Sequence, residues 1–213
     1  MSISDIAKEI NNNIQIWLES KPKLVVAIDG YTGVGKTTVS NELSNINSDV
    51  LVIHQDDFLI SKADLENLLK NADDKSVIFE LKNVDTNKIK DIIAKYKTGG
   101  TIYKTQVFNP ISGNIDIEKT FDLSKKVLVI EGVFMFHPES LDGLWDKRIY
   151  IAGNLEDIDK RRVEREKKRW GKDYFPEDHP DSYFGQVIVA LKRYIKRYGP
   201  QGKADLVIDT DIN

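Results

Sequence analysis

The chain of 213 residues contains no cysteine and only three histidines. The missing thiols exclude a disulfide scaffold, thiol catalysis and a cysteine-based zinc site. No apolar run approaches the roughly 20 residues that span a bilayer, and the first residues lack the cationic and then apolar layout of a secretion signal. We therefore expect a cytoplasmic protein with no membrane partner.

An excess of charge of one sign is also missing. The chain has 31 Lys and Arg residues against 34 Asp and Glu residues, a net charge of −3. Such a chain offers no overall positive field to nucleic acid. Its length suits one α/β domain, in which folding buries roughly 70% of the surface of the unfolded chain. We expect residues 1–213 to form a single domain that binds no nucleic acid, and the oligomeric state stays open.

Five short apolar runs, rich in β-branched residues, are separated by helical patterns. The runs are Leu24–Ile28, Val50–Ile53, Val127–Ile130, Arg148–Ile151 and Leu206–Ile208. They are too short for helices, and their continuous apolar character is typical of parallel strands covered on both faces. Strands that alternate with helices predict an α/β fold: a five-stranded parallel sheet with helices on both faces. An amphipathic helix ending before Pro22 precedes the first strand.

Residues 61–123 break this alternation. They contain a polar helical pattern and a hairpin that turns at Asn109–Gly113, where Pro and Gly supply the turn chemistry. We interpret the segment as an insertion on the substrate side of the sheet and not as a second domain.

The sharpest motif is Gly30-Tyr31-Thr32-Gly33-Val34-Gly35-Lys36-Thr37, which matches the pattern G-x-x-x-x-G-K-[ST] between a strand and a helix. The backbone N–H groups of such a loop close around phosphate oxygens, and the following helix adds its dipole. Lys36 would reach the β- and γ-phosphates, and the Thr37 hydroxyl would ligate Mg²⁺. The motif predicts ATP and Mg²⁺ as cofactors, with residues Gly30 to Thr38 at the nucleotide.

Carboxylates stand at the carboxyl ends of two predicted strands. Asp56 and Asp57 follow the second strand, and Glu131 ends the third. Ligands of open parallel sheets bind beyond these strand ends, where a carboxylate can take a proton from a substrate hydroxyl or hold Mg²⁺. One residue of the Asp56–Asp57 pair can instead cap the next helix, and which of the two is the base stays open.

A basic run at residues 160–169 contains seven basic and two acidic residues. Arg161, Arg165 and Arg169 are spaced to share one face of a helix. Such a face can close on a transferring phosphoryl group and stabilise its charge. It can equally be a solvated helix with Glu–Arg pairs.

Together, the phosphate motif, Gln55–Phe58 and Val129–Gly132 resemble the uridine kinase-like family of P-loop kinases. That family includes uridine kinase and nicotinamide riboside kinase and, more distantly, pantothenate kinase and phosphoribulokinase. Leu141–Trp145 is similar to the nicotinamide riboside kinase pattern. The resemblance implies a P-loop NTPase fold and ATP-dependent transfer of the γ-phosphoryl group to a hydroxyl of a small molecule, most often the 5′-OH of a nucleoside.

The resemblance also implies roles for individual residues. Asp56 would be the general base, Lys36 and Arg165 would act with it on the phosphoryl group, and Thr37, Glu131 and Asp56 would surround Mg²⁺. An Arg-rich lid would span about residues 157–180, where the family's lid arginines match Arg161, Arg162 and Arg165; Arg161 and Arg165 would contact the nucleotide.

The hairpin departs from the family pattern. Uridine kinases carry a Tyr-Asp-Phe string there, and this chain has Val107-Phe108-Asn109. An Asp-His-Pro-Asp element that precedes the hairpin in the family is not recognisable in residues 73–81. We therefore expect a relaxed or shifted base preference, with nicotinamide riboside as a contender. A kinase of pantothenate or a sugar phosphate, a P-loop NTPase switch, and a nucleotide-binding protein without catalysis are the alternatives.

Overall fold

The computed structural model describes residues 2–179 and 182–210, apart from the side chains of residues 169, 170 and 173. Its central sheet has five parallel strands, as the apolar runs predict. In chain order they are β1 (Leu24–Gly30), β2 (Val50–His54), β5 (Val127–Glu131), β6 (Lys147–Ala152) and β7 (Leu206–Asp209). Their order across the sheet is β2-β5-β1-β6-β7.

Seven α-helices accompany these strands in the described part of the chain. They are α1 (Ile3–Ser20), α2 (Lys36–Ile46), α3 (Lys62–Lys70), α4 (Lys75–Leu81), α5 (Thr86–Lys97), α6 (Leu155–Trp170) and α7 (Tyr183–Tyr198). Helix α1 begins with a capping box in which the side chains of Ser2 and Asp5 bond each other's backbone N–H groups. None of the helices described is long and apolar enough to cross a membrane.

Both faces of the sheet are buried, because the side chains of a strand alternate between them. On β1, Val26 and Ile28 pack with apolar residues of α1, α2 and α7. Val25 and Ala27 of the same strand pack on the other face with α5 and the hairpin. Truncating one large side chain in such a core typically costs about 2–5 kcal/mol. The helices on both faces confirm the predicted architecture.

The insertion at residues 61–123 is richer in structure than the sequence suggests. It contains three helices, α3, α4 and α5, in place of a single polar helix, followed by the hairpin strands β3 (Ile102–Phe108) and β4 (Ile115–Asp122). The hairpin turns where predicted, since the Asn109 side chain accepts bonds from the backbone N–H groups of Ile111 and Ser112. Val107 and Phe121 bury its inner face in the core.

The parallel arrangement brings the ends of β1, β2 and β5 to one edge of the sheet. In the register between strands, Glu131 lies beside Ile28 of β1 and beside His54 of β2. The phosphate motif after β1 and the carboxylates after β2 and in β5 therefore share this edge.

Candidate active site

A cleft of about 540 Å³ opens at the carboxyl edge of the sheet. Part of its lining comes from residues 30–37, which we call the phosphate loop. Residues of the insertion form another part of the lining, which we call the insertion wall and which consists of Phe79, Glu80, Leu81, Asn83, Val84 and Thr86. Asp56, Glu131 and Arg165 also line the cleft. The fold thus brings together the three charged groups predicted from strand ends and from the basic run.

The phosphate loop has the glycine geometry that its motif requires. A Cβ atom at Gly30 would clash with the carbonyl oxygen of Ile151, so a larger residue does not fit. Gly35 has φ +104° and is the N-cap of α2, where no side chain caps the helix. The first backbone N–H groups of α2 are consequently available to an anionic ligand.

The Lys36 side chain is buried within this loop. Its Nζ donates to the carbonyl oxygens of Gly30 and Tyr31, at 2.9 and 3.0 Å. Burial lowers the pKa of Lys36, and the charges of Glu131 and of other carboxylates nearby oppose that shift. A buried cation on carbonyl groups is well placed to gain a charged partner when an anion enters the loop.

Glu131 connects three elements of the fold. Its Oε1 accepts a bond from the Thr37 hydroxyl at 2.9 Å and lies 2.7 Å from Nδ1 of His54. Burial acts to raise the pKa of Glu131, but the His54 bond and the Lys36 charge outweigh it and the pKa is lowered. Glu131 is therefore held as a carboxylate beside the loop.

The two neighbouring aspartates have different surroundings. Asp57 accepts a bond from Nζ of Lys119, on the hairpin, at 2.6 Å. Asp56 faces the cleft, and in the described part of the chain it has no ion-pair partner. Although its side chain is open to the cleft, the surrounding protein partly desolvates it, and this together with the Glu131 charge raises the pKa of Asp56. The pKa values of the two cleft carboxylates are thus pushed apart, as is typical of groups with separate acid–base and ligand roles.

The predicted lid arginines occupy three different environments on α6. Arg165 lines the cleft with its guanidinium group 3.2 Å from Glu166. Arg161 is exposed and is not among the cleft-lining residues that the structure describes. Arg162 is buried and contacts Asp159 and Glu177 while it lies over the Phe184 ring. The side chain of Arg169 and the position of Pro180 lie outside the described residues.

Some residues of the phosphate motif do not line the cleft. The side chains of Tyr31 and Val34 are buried in the core, and the cleft is lined by the residues Thr32, Gly33, Gly35, Lys36, Thr37 and Thr38. Of the described hairpin residues, none lines the cleft, and Val107 faces the core. The hairpin string that departs from the family pattern is therefore not part of this cleft surface.

The insertion wall contains a buried carboxylate that sequence reasoning missed. Glu80 accepts bonds from the guanidinium group of Arg193, on α7, and its Oε1 lies 3.2 Å from Nε2 of His137. His137 in turn accepts a backbone bond from Glu139 at Nδ1. Burial lowers the pKa of His137. These contacts join helices and loops distant in sequence, so no local motif signals them.

Two further features at the same edge were not predicted. Asp29, buried at the end of β1, accepts a bond of 2.6 Å from the Tyr194 hydroxyl, and burial raises its pKa. Phe134 lines the cleft with φ +60°, a left-handed conformation that is uncommon for a residue other than glycine. Such strain often accompanies a functional site.

The oxygen groups of the cleft fit a magnesium ion that arrives with a nucleotide. Mg²⁺ prefers oxygen ligands and is usually held by one or two protein groups together with phosphates and water. The Thr37 hydroxyl, Glu131 and Asp56 supply such groups within one cleft. Among the described residues, no cluster of three or more His, Asp or Glu side chains is arranged to hold a metal without other ligands.

Comparison with known proteins agrees with this geometry. The chain is 31% identical over 157 residues to a uridine kinase of Ureaplasma parvum, and the aligned region covers 70% of this chain and 72% of that protein. It is 23% identical over 170 residues to human nicotinamide riboside kinase 1, and this alignment covers 80% of this chain and 75% of that protein. A solved structure described as a possible uridine kinase from Bacillus stearothermophilus has the same fold, with a TM-score of 0.66, 19% identity and coverage of 94% and 100%.

A family model described as "Phosphoribulokinase / Uridine kinase family" matches residues 25–211. The match spans the phosphate loop, both strand-end carboxylates and α6. It accounts for the P-loop fold and for chemistry that transfers a phosphoryl group to a hydroxyl. The chain therefore belongs to the phosphoribulokinase/uridine kinase family and is a kinase that acts on a hydroxyl group of a small molecule.

Proposed function

We propose that residues 1–213 form one kinase domain that transfers the γ-phosphoryl group of ATP to the 5′-OH of a nucleoside or of a close ribosyl relative. The observation that carries this proposal is that Asp56 has no ion-pair partner among the described residues and lies in a cleft that also contains Lys36. A binding protein needs no such base, whereas phosphoryl transfer to a hydroxyl does. The paired state of Asp57 favours Asp56 as the base.

In the proposed reaction each of the cleft residues has a separate role. Asp56 accepts the proton of the attacking hydroxyl, and its raised pKa makes it a stronger base than an ordinary aspartate. Lys36 and the N-terminus of α2 hold the β- and γ-phosphates. Arg165, which also lines the cleft, stabilises the charge that spreads over the transferring group. Arg161 would join it only if α6 moved toward the cleft.

The cofactor Mg²⁺ would be held by Thr37 and Glu131, with Asp56 beside them. When bound, it neutralises charge on the β- and γ-phosphates. Glu131 suits this role because its lowered pKa keeps it ionised.

The insertion wall favours an acceptor without negative charge. Its cleft-lining residues include Glu80 and no lysine or arginine, and Asp56 lines the same cleft. The anion of a sugar phosphate or of a carboxylic acid such as pantothenate would lose its hydration there and find no cation among the residues of the insertion wall, which costs binding energy. The hydroxyls of a ribose can instead donate to a carboxylate. Phe79 and Phe134 offer apolar ring surface for a base.

Nicotinamide riboside is the second candidate acceptor. Its pyridinium ring is positively charged, and an insertion wall whose cleft-lining residues include no lysine or arginine does not repel a cationic base. The likeness to human nicotinamide riboside kinase 1 supports this choice.

ADP formation with Mg·ATP tests the proposal against a panel of acceptors: uridine, cytidine, adenosine, nicotinamide riboside, pantothenate and ribulose 5-phosphate. We expect at least one nucleoside or nicotinamide riboside to stimulate ADP formation strongly, and the two anionic acceptors to be inert. Stimulation by an anionic acceptor alone would reject the nucleoside assignment and leave a kinase of another substrate. Hydrolysis of ATP that no acceptor stimulates would instead indicate a P-loop switch.

A further inference from the structure

His54 makes a specific contact that the proposed reaction does not use. It is the last residue of β2 and lies directly beside Glu131 in the parallel register with β5. Its Nδ1 is 2.7 Å from Oε1 of Glu131. At this distance the two atoms share a hydrogen bond, and since the carboxylate oxygen accepts, Nδ1 is the donor. The imidazole thus donates a charge-assisted hydrogen bond.

Glu131 receives two donors on the same oxygen. The Thr37 hydroxyl reaches Oε1 at 2.9 Å, from the first turn of α2, while His54 approaches from the neighbouring strand. In the described part of the chain no hydrogen-bond donor contacts the other oxygen, Oε2. One oxygen of the carboxylate is therefore tied to the protein, and the other is left for a ligand.

The two donors differ in what else they must do. In the proposed Mg·ATP chemistry the Thr37 oxygen becomes a metal ligand, so this hydroxyl serves a second partner. His54 is partly buried at the end of a sheet strand, with a side chain 27% exposed, and it has no such second duty. Its bond is the one that can persist unchanged when the metal and nucleotide enter.

We propose that His54 is a positioning residue that holds Glu131 in place for Mg·ATP through the Nδ1–H bond to Oε1. This inference rests on the proposed function, because it needs Glu131 to act on the magnesium. Carboxylates at metal sites are commonly oriented by hydrogen bonds from a second residue, and the loss of such a partner typically costs about 10–100-fold in metal affinity or activity. Thr37 alone would leave the carboxylate less ordered.

The test measures binding of ATP by calorimetry in excess Mg²⁺ and in EDTA, and compares the two dissociation constants as a ratio. His54→Ala and the larger His54→Leu both remove the donor. His54→Asn retains it, since Nδ2 of Asn occupies nearly the place of Nδ1 of His. Lys119→Ala is the matched control, because it removes an ion pair with Asp57 at the same strand end without touching Glu131. Thermal unfolding checks that each variant folds.

We expect the Ala and Leu variants to lose about tenfold or more of the Mg²⁺-dependent gain in ATP affinity, with unchanged affinity in EDTA. The Asn variant should recover most of it, and Lys119→Ala should keep the wild-type ratio. A wild-type ratio in folded His54→Ala or His54→Leu would overturn the inference, as would an Asn variant that is no better than Ala. Wild-type protein whose ATP affinity does not respond to Mg²⁺ would reject the proposed Mg·ATP function, and the inference with it.

Discussion

The phosphate loop and the insertion wall face the same cleft but are built in different ways. The loop takes all its residues from eight consecutive positions, from the last residue of β1 to the first turn of α2, and its backbone conformation is set by glycines. The wall takes its shape from contacts between distant elements, such as the pairing of Glu80 with Arg193 on α7. A continuous motif carries the general chemistry of phosphate binding, whereas long-range packing forms the surface that distinguishes one acceptor from another.

The largest effect should follow from a change between these two regions, at Asp56. In Asp56→Asn the side chain keeps its shape but cannot take the proton, so we expect kcat to fall by roughly 10²–10⁴. The affinity for ATP should change little. Steady-state kinetics with the best acceptor, together with ATP binding by calorimetry, measure both quantities.

Asp57→Asn is the matched control for this change. Asp57 is bound to Lys119 and does not line the cleft in the described structure, so we expect a small effect. A large loss in Asp57→Asn with a mild one in Asp56→Asn would reverse the assignment of the base.

The pH dependence of kcat/KM also tests the role of Asp56 as the base. Because the pKa of Asp56 is raised above its ordinary value of 3.8, activity that needs the ionised form should be lost as pH falls through this raised pKa. We expect the acid limb of kcat/KM for the acceptor to lie above the value for an ordinary aspartate. An acid limb at or below 3.8 would contradict the role of a desolvated Asp56.

Lys36→Ala should give the next largest effect, within the phosphate loop. The ammonium acts on the phosphates where charge moves during transfer, and one such donor typically contributes about 10²–10³ in rate. The fold should be retained, because the side chain of Lys36 donates only to the backbone carbonyls of Gly30 and Tyr31 and forms no ion pair with a described residue. Turnover and the thermal unfolding midpoint are the two measurements. Near-wild-type turnover would contradict the role of the phosphate loop in phosphoryl transfer.

Arg165→Ala should reduce kcat by about 10²-fold or less, because the side chain is 57% exposed and shares its charge with Glu166. Lys168→Ala, on an exposed part of the same helix, should be silent. Arg161→Ala tests whether α6 closes: a loss of kcat there, without a change in the fold, would indicate that Arg161 enters the cleft during turnover. Equal and negligible effects in all three variants would favour a solvated helix.

The smallest effect on catalysis, but the most selective, is expected in the insertion wall. Arg193→Met removes the partner of Glu80 and should lower the free energy of unfolding by about 1–3 kcal/mol. It should raise KM for the acceptor while KM for ATP stays the same, since Glu80 belongs to the insertion wall and Arg193 holds it in place. Urea unfolding and the two KM values check this. A change confined to KM for ATP would show that the two regions are not separate.

The contrast between the regions also explains which features could be predicted. The five strands, the phosphate loop and the carboxylates at strand ends follow from local apolar patterns and from one short motif, and the architecture of the sheet is confirmed. The sequence pattern predicts one helix in the insertion, where the structure has three. The boundaries of these helices depend on N-cap residues such as Asp74 and Asp85, which lie within a polar segment. Glu80, His137 and His54 gained their partners only through tertiary contacts. Their sequence neighbours carry no signal of those contacts.

The basic run illustrates the same limit within a single helix. Spacing correctly places Arg161 and Arg165 one turn apart on α6, yet only Arg165 is among the described residues that line the cleft. Arg162, one position away, is buried against Asp159 and Phe184. Helical periodicity indicates which residues share a face, but what lies opposite that face is determined by the fold.

The central claim is that the cleft transfers a phosphoryl group to a primary hydroxyl of a nucleoside or ribosyl compound. The most direct measurement compares ADP formation with the best such acceptor and with its 5′-deoxy analogue, which lacks only the attacking hydroxyl. We expect the parent compound to stimulate ADP formation and to yield a 5′-monophosphate by mass spectrometry, while the analogue binds competitively and gives no product. Equal stimulation by both compounds, or a phosphate at another position of the product, would contradict this account.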